Sequence, residues 1–292
     1  MPVKYIKNNN DEFKIEFNPI NYRNLNTCIF TMGGVYDECI NITIKTDNKR
    51  RVGYISYIKY EPECSLTAAL ERGGGIVEMV KLALQFVNKI YPEITTFELR
   101  DTSNIECDNI DMTTSPPRKV NKPLSLSNLY ILLYGKTWYE LHFNAEMVDK
   151  EIYNIYKNST QIFGLTIKNP IDTIATYIND TDKLTQLQQY YDANKTWHDF
   201  FNKIPRKRRC ELLYNWIPNF VRIHIGELHQ HNMWEIDINR MTKTYMEIID
   251  APTAKQITQI GGNNKITITN ILDRHRSRKT KFTLQCNFFQ KR

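Results

Sequence analysis

The segment "LERGGGIVEMVKLALQFVNKIYPEITTFELRD", from Leu70 to Asp101, constrains the fold more than any other part of the sequence. Ile76, Val80, Ala83, Leu84, Val87 and Tyr91 recur at helical spacing, so a helix with one apolar face is expected, ending at Pro92. Three consecutive glycines, Gly73 to Gly75, open that helix. Glycine raises the entropic cost of ordering a backbone, so a run of it marks positive φ angles or the close approach of another group. On either side lie runs rich in β-branched and aromatic residues, "VGYISYIKY" and "ITTFELRD". Strand, glycine loop, helix and strand in that order predict a right-handed crossover to a parallel neighbour.

Ahead of this unit, "FKIEFNPI", "TCIFTMGGV" and "CINITIKT" alternate apolar runs with turn signals. They predict an antiparallel meander whose last two strands, "CINITIKT" and "VGYISYIKY", form a hairpin across a polar break. From Asn104 to Lys122 the chain is polar, carries prolines and has no period, which reads as a long surface loop. "PLSLSNLYILLYGKTWYELHF" begins with proline and a capping serine and reads as a helix broken at Gly135. Beyond Asn144, helical segments are separated by Asn, Asp and Thr breaks, and "KTYMEIID", "NKITITNIL" and "KFTLQCNFF" around "GGNN" read as strands near the carboxyl end. The expected fold class is therefore α+β, with one domain over residues 1–145 and a mostly helical extension with a short β segment over 146–292.

Apolar residues make up 41% and aromatics 12% of the 292 residues, enough for a packed core. The amino terminus lacks the apolar stretch of a secretory leader, and no run approaches the roughly 18 apolar residues of a membrane span. An intracellular protein without a membrane partner is expected. The six cysteines contain no CxxC pair, which fits reduced buried thiols better than a disulfide frame or a zinc site. A net charge of +7 favours anionic partners such as nucleic acid or a polyphosphate cofactor.

Amides freed by glycine at a helix N-terminus point outward with the positive end of the helix dipole, an arrangement suited to phosphate. A plain strand-to-helix turn is the alternative. No GK[ST] follows the glycines, which excludes a P-loop, and the preceding meander argues against a dinucleotide-binding fold. With its order of elements, the chain resembles the GNAT superfamily of N-acetyltransferases over about Phe13 to Phe143. Arg72-Gly73-Gly74-Gly75-Ile76-Val77 matches the family signature [QR]xxGx[GA] at its first and fourth positions, and Val77 stands where the family has Gly or Ala. The resemblance implies a GNAT-like mixed sheet with flanking helices, and acetyl-coenzyme A with its pyrophosphate on the amides of Arg72 to Val77 and its pantetheine arm between two splayed strands. It also implies Asn128 near the family's asparagine, Tyr134 as the proton donor to the departing thiolate, and Glu61 or Glu63 as the base that deprotonates an amine.

The phrases "YGKTWYE", "W-x-x-F-F" and "RC-x-L-L-x-x-W" also resemble proteins of nucleocytoplasmic large DNA viruses, which implies host cytoplasm or virion as the location. A non-enzymatic scaffold, or a module binding protein or nucleic acid, is the second functional expectation. For nucleic acid, the basic runs supply Arg206, Lys207, Arg208 and Arg209, and Arg274, Arg276 and Arg278, with Tyr214 and Trp216 as residues able to stack bases. "HIGELHQH", with His224, Glu227, His229 and His231, matches neither HExxH nor HxxEH, so surface histidines and no metal are expected.

Overall fold

The computed structural model describes residues 3–8, 11–22, 25–34, 38–47, 50–67, 70–71, 73–111, 118–191, 195–252 and 282–285. The chain divides into two compact units, Met1–Leu99 with Ile236–Arg292, and Arg100–Glu235. The first unit opens with β1 (Val3–Asn8), a strand not among those expected, followed by the expected meander β2 (Asp11–Tyr22), β3 (Leu25–Gly33), β4 (Glu38–Asp47) and β5 (Arg50–Tyr60). Each strand pairs antiparallel with the next, with Ile6 opposite Phe13, Phe17 opposite Phe30 and Ile44 opposite Gly53. Ile40, Ile42 and Ile44 are buried while Asn41 and Thr43 between them are not, the period-two signature of a strand with one face on a core. Between β4 and β5 the register moves from Asn41 opposite Tyr57 to Ile42 opposite Ile55, so Ser56 is an extra residue that bulges β5.

Helix α1 (Gly74–Ile90) follows and buries Ile76, Val80, Ala83, Leu84 and Val87, the stripe read from spacing, together with Val77, Met79, Leu82 and Phe86. Phe30 meets Phe86 and Tyr91 edge-on at centroid distances of 6.2 and 6.0 Å, tying the helix to β3. Strand β6 (Thr96–Arg100) then lies parallel to β5, with Gly53 opposite Phe97 and Tyr54 opposite Glu98. A Cβ on Gly53 would stand 2.4 Å from Cδ1 of Phe97, so the missing side chain makes room for that ring.

The second unit begins with β7 (Asn104–Asp111) and β8 (Arg118–Ser125), an antiparallel hairpin with Asn104 opposite Ser125 and Asp111 opposite Arg118. The expectation of a long loop here is corrected. The hairpin's hydrogen bonds and the anchoring of Cys107 to Cys210 outweigh the weak strand propensity of a polar sequence. Helix α2 (Leu126–Tyr134) starts at Ser125, whose hydroxyl accepts from Asn128 N–H, and stops at Gly135 with φ of 68°. Helix α3 (Trp138–Phe143) follows from a capping box between Thr137 and Glu140. After β9 (Glu146–Met147) come α4 (Lys150–Thr160), α5 (Pro170–Ala175), α6 (Thr181–Gln188), α7 (Trp197–Lys203), α8 (Arg209–Leu213), α9 (Ile217–Ile225) and α10 (Leu228–His231). Asp149, Asn169, Asp180 and Thr196 cap α4 to α7, so the polar breaks of the sequence are helix starts. The core of these helices is aromatic: Phe163, Trp197, Phe200, Phe201, Trp216 and Phe220 are buried.

Strand β10 (Met233–Asp237) pairs antiparallel with β9, Trp234 opposite Met147. The chain then returns to the first unit with β11 (Glu247–Ile249), antiparallel to β1, and β12 (Phe282–Gln285), antiparallel to β5 from Tyr57 to Tyr60. "NKITITNIL" and "GGNN" lie outside the described residues. The fold is thus α+β with a mixed sheet and several helices. The division expected at residue 145 falls inside the second unit, between α3 and β9.

The cysteine expectation is also corrected. Cys39 bonds Cys64 and Cys107 bonds Cys210, while Cys28 is buried and unbonded and Cys286 lies outside the described residues. Spacing carried no pairing signal because Cys39 and Cys64 meet, 5.9 Å apart at Cα, only once β4 and β5 have paired. Among the described residues, no helix is long and apolar enough to cross a membrane.

Candidate functional site

The glycine run is reached through a connection from Tyr60 to Gly73 that is tied down at several points. Cys64 is bonded to Cys39, Leu66 N–H donates to Glu12 O at 2.7 Å, and Leu70 N–H donates to Pro62 O at 2.8 Å. The Tyr60 hydroxyl donates to Leu70 O at 3.0 Å. Gly34 lies under Glu63, where a Cβ would fall 1.8 Å from the carbonyl oxygen. Tyr60 to Leu66, and Leu70, are thus tied to the sheet and to one another ahead of α1.

The three glycines have three different reasons. Gly73 is the N-cap residue at φ of 91°, a backbone region hostile to side chains. Gly75 packs on Leu70, where a Cβ would come within 2.9 Å of Cδ1. At Gly74 a notional Cβ would meet, among the described residues, only Glu71 Oε2, at 3.8 Å. No side chain caps α1 and no acidic residue occupies its first turn. Val77 N–H donates to Gly73 O at 3.3 Å, leaving Gly74, Gly75 and Ile76 to present amides without an intrahelical acceptor. Val77 itself is 7% exposed, so its side chain occupies the core and not the open side of the run. Arg72 lies outside the described residues.

Of the two carboxylates read as candidate bases, Glu61 is held by Lys59 at 3.4 Å, and Glu63 is exposed. Asn128 and Tyr134 belong to the second unit. Asn128 is 1% exposed and its Oδ1 accepts from His229 Nε2 at 2.6 Å, which makes it a buried structural partner. Tyr134 is 47% exposed, with its ring 5.2 Å from that of Tyr130.

The second unit also gathers a polar cluster that sequence reading missed. Glu140, almost fully buried, accepts from Tyr156 Oη at 2.7 Å and from Thr137 N–H at 2.8 Å, and lies 3.5 Å from Lys157 Nζ. Asp101 is buried beside it and accepts from Ser103 N–H and Oγ at 3.1 and 2.5 Å. Burial, and to a smaller extent the Glu140 charge, push the Asp101 carboxyl up to about 6 against the bonds from Ser103. Burial and then Glu140 raise the Tyr156 hydroxyl well above the usual phenol range. The T-x-x-E spacing of Thr137 and Glu140 signals a helix start, but nothing in the sequence tells that its glutamate is buried.

Of the two residues expected to stack bases beside the first basic run, Trp216 belongs to the core and Tyr214 is half-exposed. Trp216 is buried with Nε1 donating to Leu212 O at 2.8 Å, and the Tyr214 ring lies under Lys183 Nζ at 5.8 Å. Arg208 is bound to Glu211 through Nε at 2.7 Å and Nη2 at 2.9 Å. Arg206 and Lys207 are exposed, and Arg274, Arg276 and Arg278 lie outside the described residues. Nor are the histidines all on the surface. His229 is buried against Asn128, and His224 is half-buried on the Phe220 ring at 4.6 Å, where desolvation lowers its pKa. Among the described residues no three His, Cys, Asp or Glu side chains converge as a metal site. Comparison with family models, with curated proteins and with solved structures returned no match.

Proposed function

We propose that the β5, glycine-run, α1, β6 unit binds acetyl-coenzyme A and that the protein is an N-acetyltransferase acting on an amine. The observation that carries this reading is the first turn of α1: Gly73 at positive φ and, among the described residues, no side-chain cap, no first-turn acid, and no clash at Gly74, whose nearest neighbour is Glu71. The amides of Gly74, Gly75 and Ile76 supply donors for the pyrophosphate and the helix dipole adds to their pull. The pairing of β5 with β6 at Gly53 and Tyr54, below the bulge at Ser56, supports a GNAT-like cleft between strands that part farther along. Catalysis would come from positioning and from a backbone N–H on the carbonyl oxygen, which asks little of side chains. The reading gives no part to Asn128, which is buried, and needs none from Tyr134.

One observation favours a second, non-enzymatic reading. Strand β12 pairs with the edge of β5 from Tyr57 to Tyr60, so a pantetheine arm entering along that edge would have to displace it.

Calorimetric titration with acetyl-coenzyme A tests the proposal, and Gly74→Asp is the variant of choice. It places a carboxylate where the pyrophosphate would rest, in space that a Cβ does not clash with. An acid in the first turn stabilises a helix by about 0.3–1 kcal/mol, so the variant is expected to melt no lower than wild type. Saturable micromolar binding by wild type, lost in Gly74→Asp, is the expected result. Equal affinity in both proteins assigns the cofactor elsewhere, and no binding at millimolar cofactor leaves the scaffold reading.

A further inference from the structure

Helix α2 and the turn from Arg206 to Arg209 meet through helix α7. His198 Nδ1 donates to Leu132 O and Asn202 Nδ2 to Leu133 O, both at 2.8 Å, which fixes α7 on the carbonyl end of α2. Just past α7, Ile204 O accepts from Arg209 Nε at 3.1 Å. Tyr130 and Tyr134, one helical turn apart on α2, stand tilted at 55° with ring centroids 5.2 Å apart, Tyr130 partly buried and edge-on to His142 and Tyr134 47% exposed. The Arg209 guanidinium is half-buried and close enough to Arg206 to be disfavoured by its charge, while the two tyrosines lie within electrostatic range of it. The same two arginines act on the Tyr130 hydroxyl, which burial raises. Arg208 is neutralised by Glu211, but among the described residues neither Arg206 nor Arg209 forms an ion pair with a carboxylate.

Arg206 and Arg209, three residues apart in one turn and without an ion-pair carboxylate among the described residues, leave positive charge for an anion, and the exposed Tyr134 ring, backed by Tyr130, offers a flat apolar face. Phosphates joined to planar bases satisfy both demands, whereas an acidic peptide satisfies only the first. We propose that Tyr130, Tyr134, Arg206 and Arg209 form a binding site for single-stranded nucleic acid, with bases stacked on the tyrosines and phosphates held by the arginines. Exposed Lys207, in the same turn, adds charge along the strand's path. The site lies wholly in the second unit and is independent of the acetyl-coenzyme A reading, which concerns the glycine run of the first.

Fluorescence anisotropy of a labelled twelve-residue oligothymidylate (about three-quarters of the largest site of a single-stranded-binding fold) with the full chain, at two salt concentrations, tests this. Wild type should bind with an affinity that falls as salt rises. Arg206→Glu should weaken binding about tenfold or more, because it reverses a charge at the phosphate path. Tyr134→Ala should weaken it about fivefold or more, and Tyr134→Phe should restore wild-type affinity, since stacking needs the ring and not the hydroxyl. Thermal melting shows whether each variant is folded, and the exposed position of Tyr134 makes its variants the safer pair. Absence of binding, equal binding by all variants, or equally effective displacement by polyglutamate would each overturn the proposal. Loss in Tyr134→Phe matching that in Tyr134→Ala would do the same, by showing that the hydroxyl and not the ring is what matters.

Discussion

Asp101 is a carboxylate buried to 2% exposure, a setting that disfavours its charge. A carboxyl held at about 6 in the folded chain, against an ordinary value of 3.8, takes up its proton more readily folded than unfolded. Its contribution is therefore greatest below about pH 4 and is lost as pH rises to about 6, amounting to on the order of 3 kcal/mol from a shift of roughly two units. The groups facing it are Ser103, Glu140 and Tyr156. Asp101→Asn keeps an acceptor for Ser103 and cannot ionise. Denaturant unfolding between pH 4 and pH 7 should show the stability gap between variant and wild type widening in the variant's favour as pH rises, and a constant gap would contradict the assigned burial. Gly53 presents a steric case of the same scale. Gly53→Val would drive side-chain atoms into the Phe97 ring, where even a Cβ comes to 2.4 Å. A loss of about 1–3 kcal/mol in unfolding free energy is expected, the usual cost of overpacking.

At the scale of elements, periodicity was the informative signal wherever one face of an element meets a core. The meander, the boundaries of α1 and the parallel placement of β6 were all readable, because isoleucines at period two and apolar residues at helical spacing report directly which face is buried. The break at Gly135 was readable too, since a helix end needs a residue that tolerates positive φ. The β7–β8 hairpin was not, because its strands carry few apolar residues and are held by main-chain pairing and by Cys107. The candidate site divides along the same line. The glycines were visible as a run, but that Gly73 serves conformation, Gly75 packs on Leu70 and Gly74 has only Glu71 near it depends on dihedral angles and on how the preceding turn folds back.

For the whole molecule, the two disulfides are the strongest test of the architecture. Cys39–Cys64 closes a separation of 25 residues and Cys107–Cys210 one of 103, each within a single unit. By loop-closure entropy these are worth about 3.5 and about 4.7 kcal/mol respectively. Non-reducing peptide mapping should recover both pairs, and a reductant added during unfolding should lower the transition midpoint. Alkylation of all six cysteines in the native protein without reductant would refute the pairing. Disulfides persist chiefly in oxidising compartments, so their recovery from protein made in a reducing cytosol would require an oxidation step after synthesis.

Sequence by itself determined what short-range physics controls: the α+β class, the order of most elements, the caps of α2 and of α4 to α7, and the glycine opening of α1. Each follows from local backbone preference or from the period of burial, and neither needs a distant partner. Only the tertiary structure decided which cysteines bond, that Asn128 and His229 are buried together, that Trp216 is core, and that α7 is fixed on the carbonyl end of α2. Those facts join residues up to 103 positions apart. Whether a polar or aromatic side chain is a core residue or a binding one is set by what packs over it, and that information is absent from its neighbours in the chain.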